Sequence, residues 1–185
     1  AAPYDLTADA PAFTAAIRVR VFGALKAWAR GDGDMMLASL DPPPVSGEAA
    51  GDDMVTAASA RAAFDAFAVE HRGLRVDPEA RNLRHTHVSQ PGDATRLLVQ
   101  QVLVDDLELN DWMAEFEVNV TASRASQQPV VWLRRIGPMA WGSQGQVFLG
   151  EDLMGNARDY SDETARVIDE EVEKILRGCE TRCED

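Results

Sequence analysis

Cysteine is scarce in this sequence: Cys179 and Cys183 are the only two, both near its end. Four residues apart on a helix they face the same way, but two thiolates alone do not complete a structural zinc site. They read as reduced intracellular thiols. Cations are also in short supply, with 18 Lys and Arg against 31 Asp and Glu, a formal net charge of −13. So acidic a chain repels a phosphate backbone unless its cations cluster, which argues against general nucleic-acid affinity. No apolar run reaches the roughly 18 to 20 residues that a bilayer span requires. The opening Ala1-Ala2-Pro3-Tyr4-Asp5-Leu6 has neither a basic nor an apolar signal region, so the expected location is cytoplasmic. The sequence starts without Met, which suggests a fragment or a processed chain.

The motifs of self-sufficient catalysis are missing too. No G-x-x-x-x-G-K-[ST] loop is present to cradle phosphate, and no His-Glu-x-x-His helix to hold zinc. Gly142-Ser-Gln-Gly-Gln lacks the lysine and reads as a turn. The expectation is no catalytic, cofactor-binding or metal-binding residue set, and no cofactor. Repeats and low-complexity tracts are absent as well.

What is present is periodicity. Phe13, Ile17, Val21, Leu25 and Trp28 recur at helical spacing from about Ala12, with Arg18, Arg20 and Lys26 off that stripe. Gly31-Asp-Gly-Asp stops this helix, Met35 to Leu40 supplies a short helical turn, and the prolines after Asp41 end it. Thr56 is the expected cap of a second helix over 57–70, ended by Gly73. The pattern then changes to strands at 81–89, 95–104, 112–122 and 130–136. Gln90-Pro-Gly-Asp is a turn, and Trp112, Ala114, Phe116, Val118 and Val120 share one face. Consecutive strands joined by short turns imply an antiparallel meander. Gly137-Pro138 marks a boundary, giving an α+β unit over 1–137 and a Gly-rich linker plus a final helix over 138–185.

That final helix has Ala165, Ile168, Val172, Ile175 and Cys179 as a narrow apolar seam, which needs a partner surface in this chain or in another copy. The segment 139–185 has 12 acidic and 5 basic residues. Its run Asp169-Glu-Glu, with Glu173, reads as a solvated face, because neighbours in sequence point in different directions on a helix.

Candidate site residues are few. His85 and His87, two apart on a strand, would share one face, and they read either as a structural pair or as a ligand pair lacking a third member. Trp28, His85, His87, Trp112, Phe116 and Trp132 are the candidate lining of an apolar pocket, against the plainer reading of the aromatics as core.

Two resemblances meet near Gly137. The runs Phe13-Thr-Ala-Ala-Ile-Arg-Val-Arg-Val-Phe, Arg75-Val-Asp-Pro-Glu-Ala-Arg, Leu97-Leu-Val-Gln-Gln-Val-Leu-Val-Asp and Asn110-Asp-Trp-Met-Ala-Glu-Phe-Glu-Val resemble the domain of unknown function that closes a group of actinobacterial DEAD/DEAH-box helicases. This resemblance covers about residues 12–137. Leu25-Lys-Ala-Trp-Ala-Arg-Gly-Asp also resembles the opening of the nuclear-transport-factor-two-like, SnoaL-type fold. That implies helices packed on a curved antiparallel sheet, a cystatin-like cone, with the last helix appended. The runs Val147-Phe-Leu-Gly-Glu-Asp-Leu, Arg158-Asp-Tyr-Ser-Asp-Glu-Thr-Ala and Ile168-Asp-Glu-Glu-Val resemble the C-terminal end of the FtsH peptidase domain, over residues 141–183 and without its zinc motif.

The resemblances imply a non-catalytic accessory or assembly module of an ATP-driven machine. Its expected partner is a protein or a second copy as a homodimer, with nucleic acid reached only through a parent helicase and no membrane contact. The alternatives are a small-molecule-binding or catalytic SnoaL-like protein, or a fragment of an ATP-dependent zinc metalloprotease.

Overall fold

A computed structural model of the chain describes residues 3–45, 54–139 and 162–180, with side chains of the last helix described over 166–177. Helix α1 spans Ala10–Trp28, starting two residues before the spacing predicts: Asp9 caps it by accepting from the Ala12 N–H, with Pro11 in its first turn. Helix α2 is Gly33–Ala38, capped by Asp32, and α3 is Ala57–Glu70. The predicted Thr56 cap forms, and Ser59 answers it reciprocally as a capping box.

Four strands follow, β1 Thr86–Ser89, β2 Arg96–Leu103, β3 Trp112–Asn119 and β4 Val131–Pro138. They form an antiparallel sheet in sequence order. Helix α4, Val120–Ser126, interrupts the last hairpin, and α5, Asp162–Glu180, comes after the sheet. The α+β architecture and the meander are as expected.

Register sorts the side chains. Leu97, Val99 and Leu103 of β2 join Trp112, Ala114, Phe116 and Val118 of β3 on the helix-facing side, within one core that also holds Phe13, Ile17, Val21, Leu25 and Trp28. Pairing is disturbed between Glu115 and Phe116, where Arg134 of β4 is the extra residue.

Two details depart from the sequence reading. The expected strand from Arg81 begins only at Thr86, because Leu83–His85 forms a 3-10 turn whose Arg84 N–H is taken by the Asn82 side chain. The strand expected to run to Ala122 stops at Asn119, whose side chain accepts from the Ala122 N–H and starts α4. Gly31 in the α1–α2 turn and Gly33 at the start of α2 are set by space. Gly31 has φ +74 and lies against Arg61 and Phe64, and a Cβ on Gly33 would sit 2.4 Å from the Ala57 carbonyl oxygen. That contact brings the start of α2 onto the start of α3.

Candidate functional site

The six candidate lining residues do not converge on one spot. Trp28, Trp112 and Phe116 are core, and the Trp28 indole N–H donates to the Ala60 carbonyl at 2.8 Å. Trp132 is on the opposite side of the sheet, in register with Glu117. There Glu115 accepts from Gln100 at 3.1 Å and from Arg135 at 3.4 Å, and Arg96 reaches Glu117 at 3.3 Å. His87 is on edge strand β1 and exposed. His85 is in the 3-10 turn rather than on the strand, and its Nε2 accepts from Arg84 at 3.2 Å. Burial and the neighbouring Arg84 cation both lower its pKa from 6.5. Among the described residues no group of three or more His, Cys, Asp or Glu is placed to hold a metal ion.

The polar groups that do converge lie under α5. Along α1 the stripe from Phe13 to Trp28 is one buried face, but Thr14, Arg18 and Phe22, at i, i+4 and i+8, are buried as well. Arg18, placed by spacing outside the apolar stripe, is 0% exposed. A buried guanidinium needs its donors satisfied and its charge matched. Its Nη1 donates to Asp169 Oδ1 of α5 at 2.6 Å, its Nε to Thr86 Oγ1 at 3.3 Å, and its Nη2 to the Arg81 carbonyl. Thr86 in turn donates to Gln101 Oε1 at 2.5 Å. The Arg18 guanidinium also lies over the Phe22 ring, 5.4 Å from its centroid. Burial lowers the Arg18 pKa and Asp169 pulls it back up.

A second arginine completes the set. Arg81 directs Nε to Glu173 Oε1 at 2.7 Å and its other nitrogens to Glu173 Oε2 and the Val76 carbonyl. The remaining Asp169 oxygen accepts from the Leu83 N–H at 3.1 Å. Asp169 and Glu173 are therefore not a solvated face. They are four residues apart, one turn, and point together at the domain, while Glu170 and Glu171 stay exposed. The apolar seam is also turned from its expected line: Ile168, Val172 and Leu176 are buried in the core at 1%, 1% and 6% exposure, and Ile175 is 37% exposed. The side chains of Ala165 and Cys179 and the whole of Cys183 fall outside the described residues, as do Ser161 and the glycine pair at 142–145. The seam's partner surface is thus within this chain.

A second polar pair lies at the other end of α3. His71, its C-terminal cap, donates through Nδ1 at 2.9 Å to the Asp105 carboxylate, with both side chains 1% exposed. The ring stacks on Phe67 with centroids 4.3 Å apart, and its Nε2 is 3.3 Å from Asp111 without hydrogen-bond geometry. Burial alone would raise the Asp105 pKa, but the His71 bond and the Leu109 N–H hold it below 3.8. The loop after Asp105 carries Glu108 and Asn110 in the left-handed region, and Asp105 secures it through bonds from the Glu108 and Leu109 N–H groups. An open groove of about 480 Å³ runs beside the pair, lined by Phe64, Phe67, Val69, His71 and Leu107 among others.

The sequence reading missed Arg18, Arg81, His71 and Asp105. A charged residue at i+4 from one small residue and i−4 from an aromatic, as Arg18 is from Thr14 and Phe22, signals a second buried face. His71 and Asp105 are 34 positions apart, and no spacing rule joins them.

Comparison with known proteins gives two kinds of similarity. A 48-residue stretch is 69% identical to the ATP-dependent zinc metalloprotease FtsH of Acidimicrobium ferrooxidans, covering 26% of this chain and 7% of that protein. The FtsH of Myxococcus xanthus is 51% identical over 49 residues, 26% of this chain and 8% of that protein. The chain thus spans less than a tenth of the length of these curated relatives. No solved structure matches. Residues 1–136, which carry α1 to α4 and nearly all of the sheet, match the family described as Domain of unknown function (DUF3516), and the chain belongs to that family.

Proposed function

We propose that this chain is a non-catalytic accessory module that works by protein contact, as part of a larger ATP-driven machine of the DEAD/DEAH-box helicase type. One observation carries this reading: the most deeply buried charge in the domain, Arg18, is directed together with Arg81 at an amphipathic helix rather than at an open cavity. Such an arrangement recognises protein. The absence of a phosphate-cradling loop and of a zinc-protease helix from the sequence agrees with it. The resemblance of residues 12–137 to the closing domain of such helicases supplies the parent, and with a charge of −13 any nucleic acid is engaged by that parent. The FtsH-like stretch contributes a packing helix. The proposal includes no membrane contact, and no described helix is long and apolar enough to cross a membrane. The place of action is the cytoplasm.

The test is turnover by the purified chain. With ATP and Mg²⁺, and separately with zinc and an unfolded protein substrate, no hydrolysis above buffer is expected. Metal-dependent proteolysis or sustained ATP turnover that co-purifies with the chain overturns the reading.

A second reading has its own observation, the groove beside the buried His71–Asp105 pair. It makes the chain a binder of small apolar molecules, as SnoaL-like proteins are. Ligand-induced NMR shifts confined to Phe64, Phe67 and Leu107 would favour it, and a fragment screen that leaves those signals unmoved removes it.

A further inference from the structure

Helix α5 lies outside the stretch that carries the family match. Residues 1–136 carry the family match, so the surface that receives α5 belongs to the family domain and α5 itself does not. That surface is made by α1 and the segment 81–86, and its chemistry is specific. It offers two arginines whose forks are spaced for carboxylates one helical turn apart, one backbone N–H, that of Leu83, and an apolar strip for three side chains. With a helix docked on it Arg18 is 0% exposed and cut off from water, so the surface is complementary to a helix bearing acids and poorly suited to a neutral one.

We propose that the cleft between α1 and residues 81–86 is a docking site for acidic amphipathic helices, occupied here by α5 from within the chain and open to a partner helix of the same pattern. This rests on the protein-contact reading above and names its partner class. The pattern is read from α5: apolar at positions 168, 172 and 176, with a carboxylate directly after the first two, at 169 and 173. A partner helix carrying apolar groups at i, i+4 and i+8 and acids at i+1 and i+5 presents the same surface. It competes with α5 for Arg18 and Arg81. Helix-in-groove recognition of this kind reads spaced apolar anchors, and the paired acids fix register and direction.

The test keeps α5 present while the chain folds. A protease recognition sequence is inserted between residues 139 and 162 of the full chain, and cut after purification. A fluorescent synthetic peptide of residues 162–180 is then the probe, followed by anisotropy. The expected result is that the cut tail stays with the domain on gel filtration, and that the labelled peptide exchanges into the cleft saturably. A peptide with Asp169→Asn and Glu173→Gln should compete at least tenfold more weakly, and Arg18→Met in the domain should shrink that difference to the part carried by Arg81 and Glu173. If the cut tail separates and the peptide does not bind at tens of micromolar, the proposal is overturned. Equal competition by the neutralised peptide overturns it as well. Neither failure touches the turnover test, so the accessory reading would stand with another contact surface.

Discussion

Removing the Asp169 carboxylate is the sharpest perturbation the structure offers. Arg18 is wholly buried and, among the described residues, Asp169 is the one carboxylate paired with it, at 2.6 Å. Breaking a buried pair by deleting one member typically costs about 3–5 kcal/mol, because the other charge is left without compensation. Here the cost has a ceiling. If α5 leaves the domain, Arg18 regains water, so the observed loss cannot exceed the free energy that docks α5. Burial of Ile168, Val172 and Leu176 contributes on the order of 1.5–3 kcal/mol each, before the entropy of ordering the helix is subtracted. Asp169→Ala is therefore expected to release α5 before it unfolds the sheet, with a loss near 3 kcal/mol. Urea unfolding followed by tryptophan fluorescence reads the core, and hydrogen exchange over α5 reads the docking. The double variant Arg18→Met with Asp169→Leu should recover most of the loss, since apolar groups of similar size often replace a buried ion pair at little cost. Recovery stays incomplete because the Arg81 carbonyl loses its donor. If Asp169→Ala lies within about 0.5 kcal/mol of the parent chain, as surface changes do, the pairing argument is wrong.

Other predictions follow from the packing and the titrations. Gly33→Ala puts a methyl against the Ala57 carbonyl oxygen, 2.4 Å from the added Cβ, and should cost about 1–3 kcal/mol by forcing α2 from α3, read by thermal unfolding. Because the folded pKa of Asp105 is lowered, its contribution is present above about 3.8 and is lost as pH falls through the folded value. Asp105→Asn should therefore be less stable at neutral pH but show a flatter decline in urea midpoint below pH 4, and parallel profiles would contradict this. His85 is also lowered, so its neutral form supports the fold above 6.5 and that support is lost on acidification. NMR titration should place its midpoint below 6.5, and a midpoint above that value refutes the assignment to burial and Arg84.

Much of the sheet was legible because alternation is a local signal. Trp112, Ala114, Phe116 and Val118 announce which face is inward, and Gln90-Pro-Gly-Asp announces the hairpin turn. Thr56 was legible for the same reason, since a cap acts within three residues. Helix α4 was not, because its seven residues are too few to show a period and its sole marker is the Asn119 cap. The docking cleft was hidden more deeply. Arg18 looks like a solvent residue on a helix, and Asp169 looks like a solvated acid, until a contact 151 residues apart in sequence brings them together. Spacing rules see one element at a time, and a buried ion pair between two elements carries opposite charges that each element alone presents as surface. The aromatic residues proposed for a pocket failed to meet for a related reason: Trp132 and Trp112 lie on opposite faces of one sheet, which strand parity sets only once the register through the irregular β3–β4 pairing is known.

The central claim is that α5 is docked on its own domain through the acid–arginine pairs and the seam at 168, 172 and 176. Hydrogen exchange on the unmodified full chain tests it most directly. The account predicts that amides from Ile168 to Leu176 are protected to an extent approaching those of α1, and that protection is lost selectively in Asp169→Ala while α1 and the sheet stay slow. Exchange of that segment at the rate of a free peptide in the parent chain would contradict it.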